Sequence, residues 1–173
     1  MNAQVELVAS RAEEWGERFR AMRLRLSLLL PFAAVEHIGS TSIPKLPAKD
    51  VVDVLIGVTA SNVEDAVGVL VRAGFDREGS RDGHAWLSWP NRRQREYVLH
   101  VVELGSTHWV ERLAFRDLLR DSGDLRTRYL AVKRAAAEQA HDWGEYTARK
   151  ADIVREILKE GQAWRPCNAD SRR

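Results

Sequence analysis

The spacing of apolar residues predicts a strand-rich first two-thirds of the chain. Residues 51–58 are apolar at nearly every position, which is typical of a strand buried on both faces in the middle of a sheet. A helical repeat of apolar residues covers residues 5–30, and a short strand pattern follows at residues 34–38. Ser61 is expected to cap an amphipathic helix that Gly74 closes.

The pattern changes beyond the middle of the chain. A short strand is expected from Phe75, and residues 85–89 and 96–103 predict a β-hairpin around an arginine-rich loop. After Gly105 the apolar spacing predicts three helices, at residues 107–121, 123–140 and 142–161. Strands followed by helices indicate the α+β class, with a mixed β-sheet covered by helices and a C-terminal helical segment packed on it.

Length and composition favour one domain at residues 1–161, with a helical part at 106–161 and a flexible tail at 162–173. Hydrophobic residues make up 45% of the 173 and charged residues 30%, as in soluble globular proteins. No apolar run reaches the roughly 18 residues of a membrane span. Because a secretory signal is absent and Cys167 is the only cysteine, we expect a cytoplasmic protein with no membrane partner.

The charge of the chain argues against nucleic acid as the main partner. The formal net charge is only +2, and Trp86 and Trp89 beside the arginine-rich loop are more simply part of an ordinary exposed hairpin. Lysine is scarce, so Lys49, Lys133 and Lys150 stand out as candidates for specific roles. The tryptophans on apolar helix faces are expected in the core: Trp15, Trp109 and Trp143.

A Gly-Ser turn between two strands is a candidate phosphate site. Gly39 permits a tight backbone, and Ser40 and Thr41 supply hydroxyls and amides. Asp53 follows in the next strand, where a carboxylate is expensive to bury without a partner or a metal ion. The arrangement resembles the nucleotidyltransferase fold, in which a Gly-Ser pair faces the triphosphate and the next strand presents carboxylates to metal.

Asp53 and His100 are the candidate catalytic and metal-binding residues. Nucleotidyltransferases usually carry a second acid two residues after the first, but Leu55 stands there in this chain, so the usual two-metal pair is incomplete. His100 lies in an apolar strand and is either an ordinary core histidine or the second ligand of a divalent cation. Mg²⁺ or Mn²⁺ is the expected cation, with Zn²⁺ as an alternative because imidazole suits it.

Two aromatic–lysine pairs in the helical part are candidates for nucleotide binding. Tyr129 and Lys133 are four residues apart, as are Tyr146 and Lys150, so each pair shares a helix face. Such a pair suits a base stacked on the ring and a phosphate held by the ammonium. The same spacing also occurs on ordinary amphipathic helices, where the lysine stem covers the ring, and both interpretations stay open.

In their order along the chain, these motifs resemble the GrpB family, which also occurs as the C-terminal extension of some bacterial dephospho-CoA kinases. The resemblance extends from about Trp15 to Leu158 and rests on the following segments: Glu36–Pro44, Ala48-Lys49, Val52–Val54, Leu99–Val102, Phe115–Arg120, Tyr129–Lys133, and Tyr146-Thr147 with Lys150. It implies a nucleotidyltransferase-like fold. On this basis the residues expected around the nucleotide or its acceptor are Lys49, Arg116, Lys133, Tyr146 and Lys150.

Two positions depart from the family pattern. Lys45 stands where members typically carry glycine, and it restricts the loop if the backbone there needs a positive φ. Asp50 stands where members typically carry proline, which frees a backbone amide and adds a charge near Asp53. We expect a differently shaped loop or an altered choice of substrate.

Two hypotheses follow from these observations. The first is a nucleotidyltransferase-like enzyme that binds a nucleotide or another phosphorylated small molecule with a divalent cation and displaces at phosphorus. The second is a binding module that keeps the fold and a nucleotide or CoA-like pocket without turnover, which the missing second acid favours. RNA binding through the arginine-rich hairpin is the least favoured alternative, and the pattern specifies no oligomeric state.

Overall fold

A computed structural model describes residues 6–163, which fold into thirteen short elements. In chain order they are α1 (Ala12–Leu29), β1 (Ala34–Ile38), a 3-10 turn (Ser40–Ser42), β2 (Val52–Val58), a 3-10 turn (Ala60–Asn62), α2 (Val63–Arg72), β3 (Asp76–Arg81), β4 (His84–Trp89), β5 (Tyr97–Glu103), α3 (Thr107–Asp121), α4 (Gly123–Gln139), α5 (Trp143–Arg149) and α6 (Ala151–Ala163).

The five strands form one mixed sheet in the order β1-β2-β5-β4-β3. The apolar strand β2 lies inside it, antiparallel to β1 and parallel to β5. The predicted hairpin is the antiparallel pair of β4 and β5. Strands come before the helical third of the chain, as the α+β prediction requires.

The two faces of the sheet differ in what covers them. On one face alternate residues of β2, such as Val54 and Ile56, are fully buried and pack with Trp15 and Leu26 of α1 and Leu70 of α2. The other face of β2 presents Asp53, Leu55 and Gly57 towards α3, because side chains alternate along a strand. This second face carries the functional candidates.

The N-terminal helix is shorter than predicted. The spacing of apolar residues suggested a start at Val5, but α1 begins at Ala12. Leu7 and Val8 are adjacent and pack into different apolar clusters, which is the alternation of extended chain rather than of a helix. Val8 forms an isolated antiparallel bridge with Ala48, so this segment runs beside the loop that precedes β2.

Two other boundaries need correction. Ser61 does not cap α2, because residues 60–62 form a 3-10 turn and the hydroxyl of Ser61 contacts Asn62 instead. The third predicted helix is two helices, α5 and α6, which part at Lys150. Gln162 and Ala163 still belong to α6, whereas the rest of the predicted tail, with Cys167, lies outside the described residues.

Trp89, Arg92 and Arg95 of the hairpin make contacts within the protein. Trp89 packs with Phe75, and the guanidinium of Arg25 lies 3.9 Å from the centre of its ring. Arg92 and Arg95 of the connecting loop form ion pairs with acids of β3. These contacts leave little of the hairpin for stacking nucleic-acid bases, which weakens the RNA-binding alternative.

Asp50 points away from the predicted site. Its carboxylate accepts hydrogen bonds from the indole of Trp15 at 2.9 Å and from Arg18 at 2.5 Å, both in α1. Burial alone would raise the pKa of Asp50, but these two donors outweigh it and lower the pKa. The charge that the sequence predicted near Asp53 is therefore neutralised by α1.

Lys45 adopts the positive φ that the family's usual glycine would suit, with a value of 65°. A residue with a side chain pays about 1–2 kcal/mol in this conformation, while glycine loses about 0.5–1 kcal/mol of extra chain entropy on folding. We expect Lys45→Gly to raise the free energy of unfolding by about 0.5–1 kcal/mol in urea denaturation, because the Lys45 side chain is exposed. Lys45→Ala is the control, since it keeps the strain, and equal stabilities of the two variants would contradict the prediction.

Within residues 6–163, no helix combines the length and the apolar character needed to cross a membrane.

Candidate functional site

A cavity of about 680 Å³ lies between the second face of the sheet and the C-terminal helices. The helices α3, α4, α5 and α6 each contribute side chains to its wall, and so does the turn that follows β1. Nine of the ten residues predicted for the site line this cavity: Gly39, Ser40, Thr41, Lys49, Asp53, His100, Lys133, Tyr146 and Lys150.

Gly39 lets the turn after β1 touch the carboxylate of Asp53. Its φ of 69° belongs to the left-handed region, and an added Cβ would stand 2.8 Å from the Asp53 Cγ. Register explains the contact, because Ile38 pairs directly with Asp53 across β1 and β2. The turn and the acid that the sequence treated as two motifs are therefore one structural unit.

The hydroxyls of the turn already have partners within the protein. Thr41 Oγ1 lies 3.0 Å from His37 Nε2. Burial raises the pKa of Tyr129 to about 12, and a hydrogen bond with Ser40 acts in the opposite direction. The turn is thus tied to β1 through Thr41, and within the turn the Ser42 hydroxyl donates to the Gly39 carbonyl at 2.7 Å.

Asp53 and His100 face each other, as the sequence predicted. Asp53 Oδ1 lies 3.6 Å from His100 Nε2, and the Asp53 side chain keeps 30% of its surface open to the cavity. Enclosure by protein would raise the pKa of Asp53, but His100, Lys49 and Lys150 outweigh it, so the pKa is lowered. Asp53 is therefore an ionised carboxylate on the cavity wall.

Leu55 belongs to the core. It is fully buried and packs with Ile38 and Val102, and α3 covers it with Trp109 and Leu113. A carboxylate in its place would be buried among apolar side chains. Among residues 6–163 there is also no group of three histidine, cysteine or acidic side chains placed to hold a metal ion.

A chain of hydrogen bonds sets the proton positions of His100. Arg112 only donates, and its Nη2 lies 3.4 Å from His84 Nδ1, so that nitrogen accepts. Burial, with His100 and Arg112 nearby, holds the pKa of His84 far below its usual range, so the neutral ring carries its proton on Nε2. This proton is donated to His100 Nδ1 at 2.9 Å, which leaves the His100 proton on Nε2, towards Asp53.

The tautomer bears on the metal prediction. A protonated Nε2 has no lone pair for a cation, so in this arrangement His100 turns an N–H towards the Asp53 carboxylate at 3.6 Å. The sequence offered a core histidine or a metal ligand. The hydrogen bond from His84, a residue not singled out from the sequence, determines which of these states His100 adopts here.

Three lysines with lowered pKa values surround Asp53. Burial lowers the pKa of Lys49 to about 6, of Lys133 to about 7 and of Lys150 to about 8. Asp53 opposes this shift in all three, and the lysines reinforce it among themselves in Lys49 and Lys133. Among the described residues, five basic side chains line the cavity (Lys49, Lys133, Lys150, Arg81 and Arg112) against the two carboxylates of Asp53 and Glu111, so the cavity favours an anion.

Aromatic rings separate the lysines. Lys49 Nζ lies against the face of Trp143, 2.7 Å from its centre, and Lys150 Nζ lies 4.0 Å from the centre of the Tyr146 ring. Lys133 Nζ is 5.7 Å from the Tyr129 ring and donates to the Pro47 carbonyl at 2.5 Å. Both predicted aromatic–lysine pairs form, and Trp143 lines the cavity rather than the core.

Arg116 is the predicted residue that the cavity excludes. Its guanidinium bonds to Glu36 at 2.8 Å and to the carbonyl of His37, and it pairs with Asp117 beside it on α3. It therefore joins α3 to β1. The arginine of α3 that lines the cavity is Arg112, one helical turn earlier.

A group of cavity residues at the end nearest β3 and the start of α3 was not predicted from the sequence, namely Arg81, His108, Glu111 and Arg112. The signal that was available is the spacing of His108, Arg112 and Phe115, which share a helix face with each other. Their identity as a site depends on His84, which the sheet brings beside His100.

Comparison with known proteins agrees with this fold. Residues 4–160 match the protein family described as GrpB protein. A UPF0157 protein of Deinococcus radiodurans is 46% identical over 155 residues, which are 90% of this chain and 81% of that protein. A dephospho-CoA kinase of Mycobacterium leprae is 26% identical over 161 residues, which cover 75% of this chain and 39% of the kinase.

Solved structures give the same picture. The conserved protein GrpB from Enterococcus faecalis has a TM-score of 0.74 at 28% identity, covering 90% of this chain and 98% of that one. Cid1, described by its RNA terminal uridylyl transferase activity, has a TM-score of 0.51 at 14% identity, covering 72% and 40%. The second likeness concerns the fold alone, and the predicted nucleotidyltransferase-like α+β fold is confirmed.

Proposed function

Since the chain belongs to the GrpB family and has a nucleotidyltransferase-like fold, we propose that its cavity binds a nucleotide or another phosphorylated small molecule together with a divalent cation. The observation that carries the proposal is the convergence of Lys49, Lys133 and Lys150 on the carboxylate of Asp53 in one cavity. Burial disfavours the charged forms of these lysines, and a bound anion favours them. A cytoplasmic location is part of this proposal.

Phosphate oxygens would lie between the lysines and the turn of Gly39, Ser40 and Thr41. A phosphate supplies several acceptors and up to two negative charges, which match Lys49 and Lys150 on the cavity wall. The rings of Trp143 and Tyr146 offer a surface for a base or another flat group. Lys133 also lines the cavity and donates to the Pro47 carbonyl.

Asp53 is the proposed protein ligand of the cation. Mg²⁺ is commonly held by one or two carboxylates together with substrate phosphates and water, so a single acid suffices when the phosphate is bound. Mn²⁺ would be accommodated in the same way, and Zn²⁺ binding at His100 would require its Nε2 proton to leave. His100 lies beside this carboxylate, with Nε2 3.6 Å from Asp53 Oδ1.

Nucleotidyl transfer is a second candidate, supported by the fold and by the position of Asp53 on β2. The burial of Leu55 favours the alternative without turnover, since no second acid stands on that strand face within the described residues. Incubation with nucleoside triphosphates and Mg²⁺ or Mn²⁺ separates the two. Release of pyrophosphate that Asp53→Asn abolishes would establish transfer, whereas tight binding without release would establish a binding module.

A thermal-shift screen of nucleotides and CoA precursors, with and without Mg²⁺ or Mn²⁺, tests the proposal. A ligand at 100 times its dissociation constant stabilises the folded state by about 2.7 kcal/mol. We expect stabilisation by at least one phosphorylated compound and its loss in Lys150→Met. Lys159→Met, which removes an exposed lysine outside the cavity, should behave as wild type. Absence of any phosphate-dependent shift would contradict the proposal.

Anion binding should be accompanied by proton uptake. At pH 8 the lowered pKa values of Lys49 and Lys133, about 6 and about 7, leave these groups largely neutral, and an anion favours their charged forms. We expect sulfate, whose charge is constant in this range, to bind more weakly as the pH rises from 6 to 9. Calorimetry in buffers of different ionisation enthalpy measures the protons, and Lys159→Met should take up as many as the wild type.

The same lysines affect stability without a ligand. Their pKa values are lower in the folded protein than the 10.5 of a free lysine, so between these limits the unfolded state binds more protons. Their contribution to the free energy of unfolding therefore rises with pH from about 6 to about 10. A sulfate affinity that does not change with pH would contradict the lowered pKa values.

A further inference from the structure

Arg112 of α3 has donors left over within the cavity wall. Its Nη1 donates to the carbonyl of His108 at 3.0 Å and approaches the ring of the same residue, and its Nη2 reaches His84 at 3.4 Å. A guanidinium has five N–H groups, one on Nε and two on each terminal nitrogen. The Nε–H and one Nη2–H of Arg112 have no partner among residues 6–163.

Other arginines of this protein use those two nitrogens to hold a carboxylate. Both Nε and Nη2 donate to an acid in Arg92, Arg95, Arg116 and Arg149. Arg112 has only neutral partners within hydrogen-bond distance, although it is half-buried. A guanidinium withdrawn from water without an acid is costly, and a bound anion removes that cost.

We propose that Arg112 forms a second anion subsite in the cavity, where its Nε and Nη2 bind an acidic group, a carboxylate or a phosphate. The neighbours of this subsite are His84 and His108, and Arg81 lines the same end of the cavity. The planar guanidinium of Arg112 can donate two parallel hydrogen bonds to a carboxylate or to a phosphate, and a lysine does not reproduce this geometry. Glu111 lines the same end, and its negative charge favours the charged form of Arg112.

The inference rests on the proposed function and specifies the ligand class. A molecule that fills both subsites carries a phosphate at the lysines and a second acidic group at Arg112. Alternatively, the acidic group belongs to a second substrate that approaches the phosphate from the histidine end. In both cases the cavity selects for two anionic groups, with Asp53 and His100 on the wall of the same cavity.

Nuclear magnetic resonance of arginine Nε–H groups measures anion binding at Arg112 directly. The full chain is titrated with inorganic phosphate, and separately with sodium acetate, at constant ionic strength, and the Nε–H signal of Arg112 is assigned by its absence in Arg112→Lys. We expect a saturable shift of that signal with at least one anion. Phosphate alone identifies a phosphate subsite, and a shift with acetate identifies one that accepts carboxylates.

Variants separate this subsite from the lysine site. Arg112→Lys keeps the charge but removes the planar guanidinium; in calorimetric titrations of Lys150→Met, with and without Arg112→Lys, this change should weaken binding of the anion that shifts the Arg112 signal by about 10- to 100-fold. Arg93→Lys, in the exposed loop outside the cavity, should change nothing. In Lys150→Met the Arg112 signal should still shift. A signal that no anion shifts, while Lys150-dependent phosphate binding persists, would overturn the Arg112 subsite and leave the proposed function standing.

Discussion

Replacing Asp53 by asparagine should abolish the effect of Mg²⁺ or Mn²⁺ on ligand binding while tightening the binding of inorganic phosphate without metal. The asparagine side chain has nearly the shape of the acid, so the contact with Gly39 persists, but the negative charge is lost. Two unit charges 4 Å apart interact by about 4 kcal/mol at an effective dielectric constant of 20. Allowing for the water in an open cavity, we expect the cation's enhancement of affinity to fall by about 100-fold or more.

Calorimetric titration with a nucleoside triphosphate, with and without the cation, measures the effect. The affinity for inorganic phosphate without metal should instead increase in Asp53→Asn, because the Asp53 carboxylate repels a phosphate that the lysines attract. Asp50→Asn is the matched control, since that acid belongs to the ion pairs with Arg18 and Arg11 outside the cavity. Cation dependence that survives in Asp53→Asn would show that another group holds the metal.

Gly39→Ala should lower the free energy of unfolding by about 3 kcal/mol. The left-handed φ of 69° costs a residue with a side chain about 1–2 kcal/mol, and forcing an atom into a filled site costs about 1–3 kcal/mol more. The displaced group is the Asp53 carboxylate, so the variant should also lose cation-dependent binding when folded. Urea denaturation followed by circular dichroism measures the stability.

Gly83→Ala provides the control for backbone strain. Gly83 has a φ of 73°, but a Cβ there would meet nothing within 4 Å. It should cost only about 1 kcal/mol, from the conformation alone. The difference between the two variants measures the contact of Gly39 with Asp53, and equal losses would mean that the turn and the acid can move apart.

The sequence predicted the fold well where patterns are local. Val52–Val58 is apolar on both faces because helices cover both sides of the sheet, and periodicity detects that directly. The prediction failed at Val8, which is not helical, and at Lys150, where one predicted helix is two. The bridge from Val8 to Ala48 is a contact between distant segments, and the break between α5 and α6 falls in a stretch whose apolar spacing continues through it.

The site was predicted in part for a similar reason. Gly39, Asp53 and His100 could be identified because each breaks the character of its own strand or turn. Arg112 lies on an ordinary amphipathic helix. It can be identified only from the folded structure, in which His84 of β4 lies beside it. Arg116 was chosen in its place by family resemblance, and its actual partner, Glu36, is 80 residues away in the chain.

The cavity joins parts of the chain that are far apart, and this has a kinetic consequence. The bond from Lys133 to the Pro47 carbonyl spans 86 residues, and the ring of Trp143 rests on Lys49. Contacts of such length form only after the entropy of closing long loops has been lost, so we expect them to be absent from the folding nucleus. A ligand in the cavity would then prolong the lifetime of the folded protein without hastening its formation.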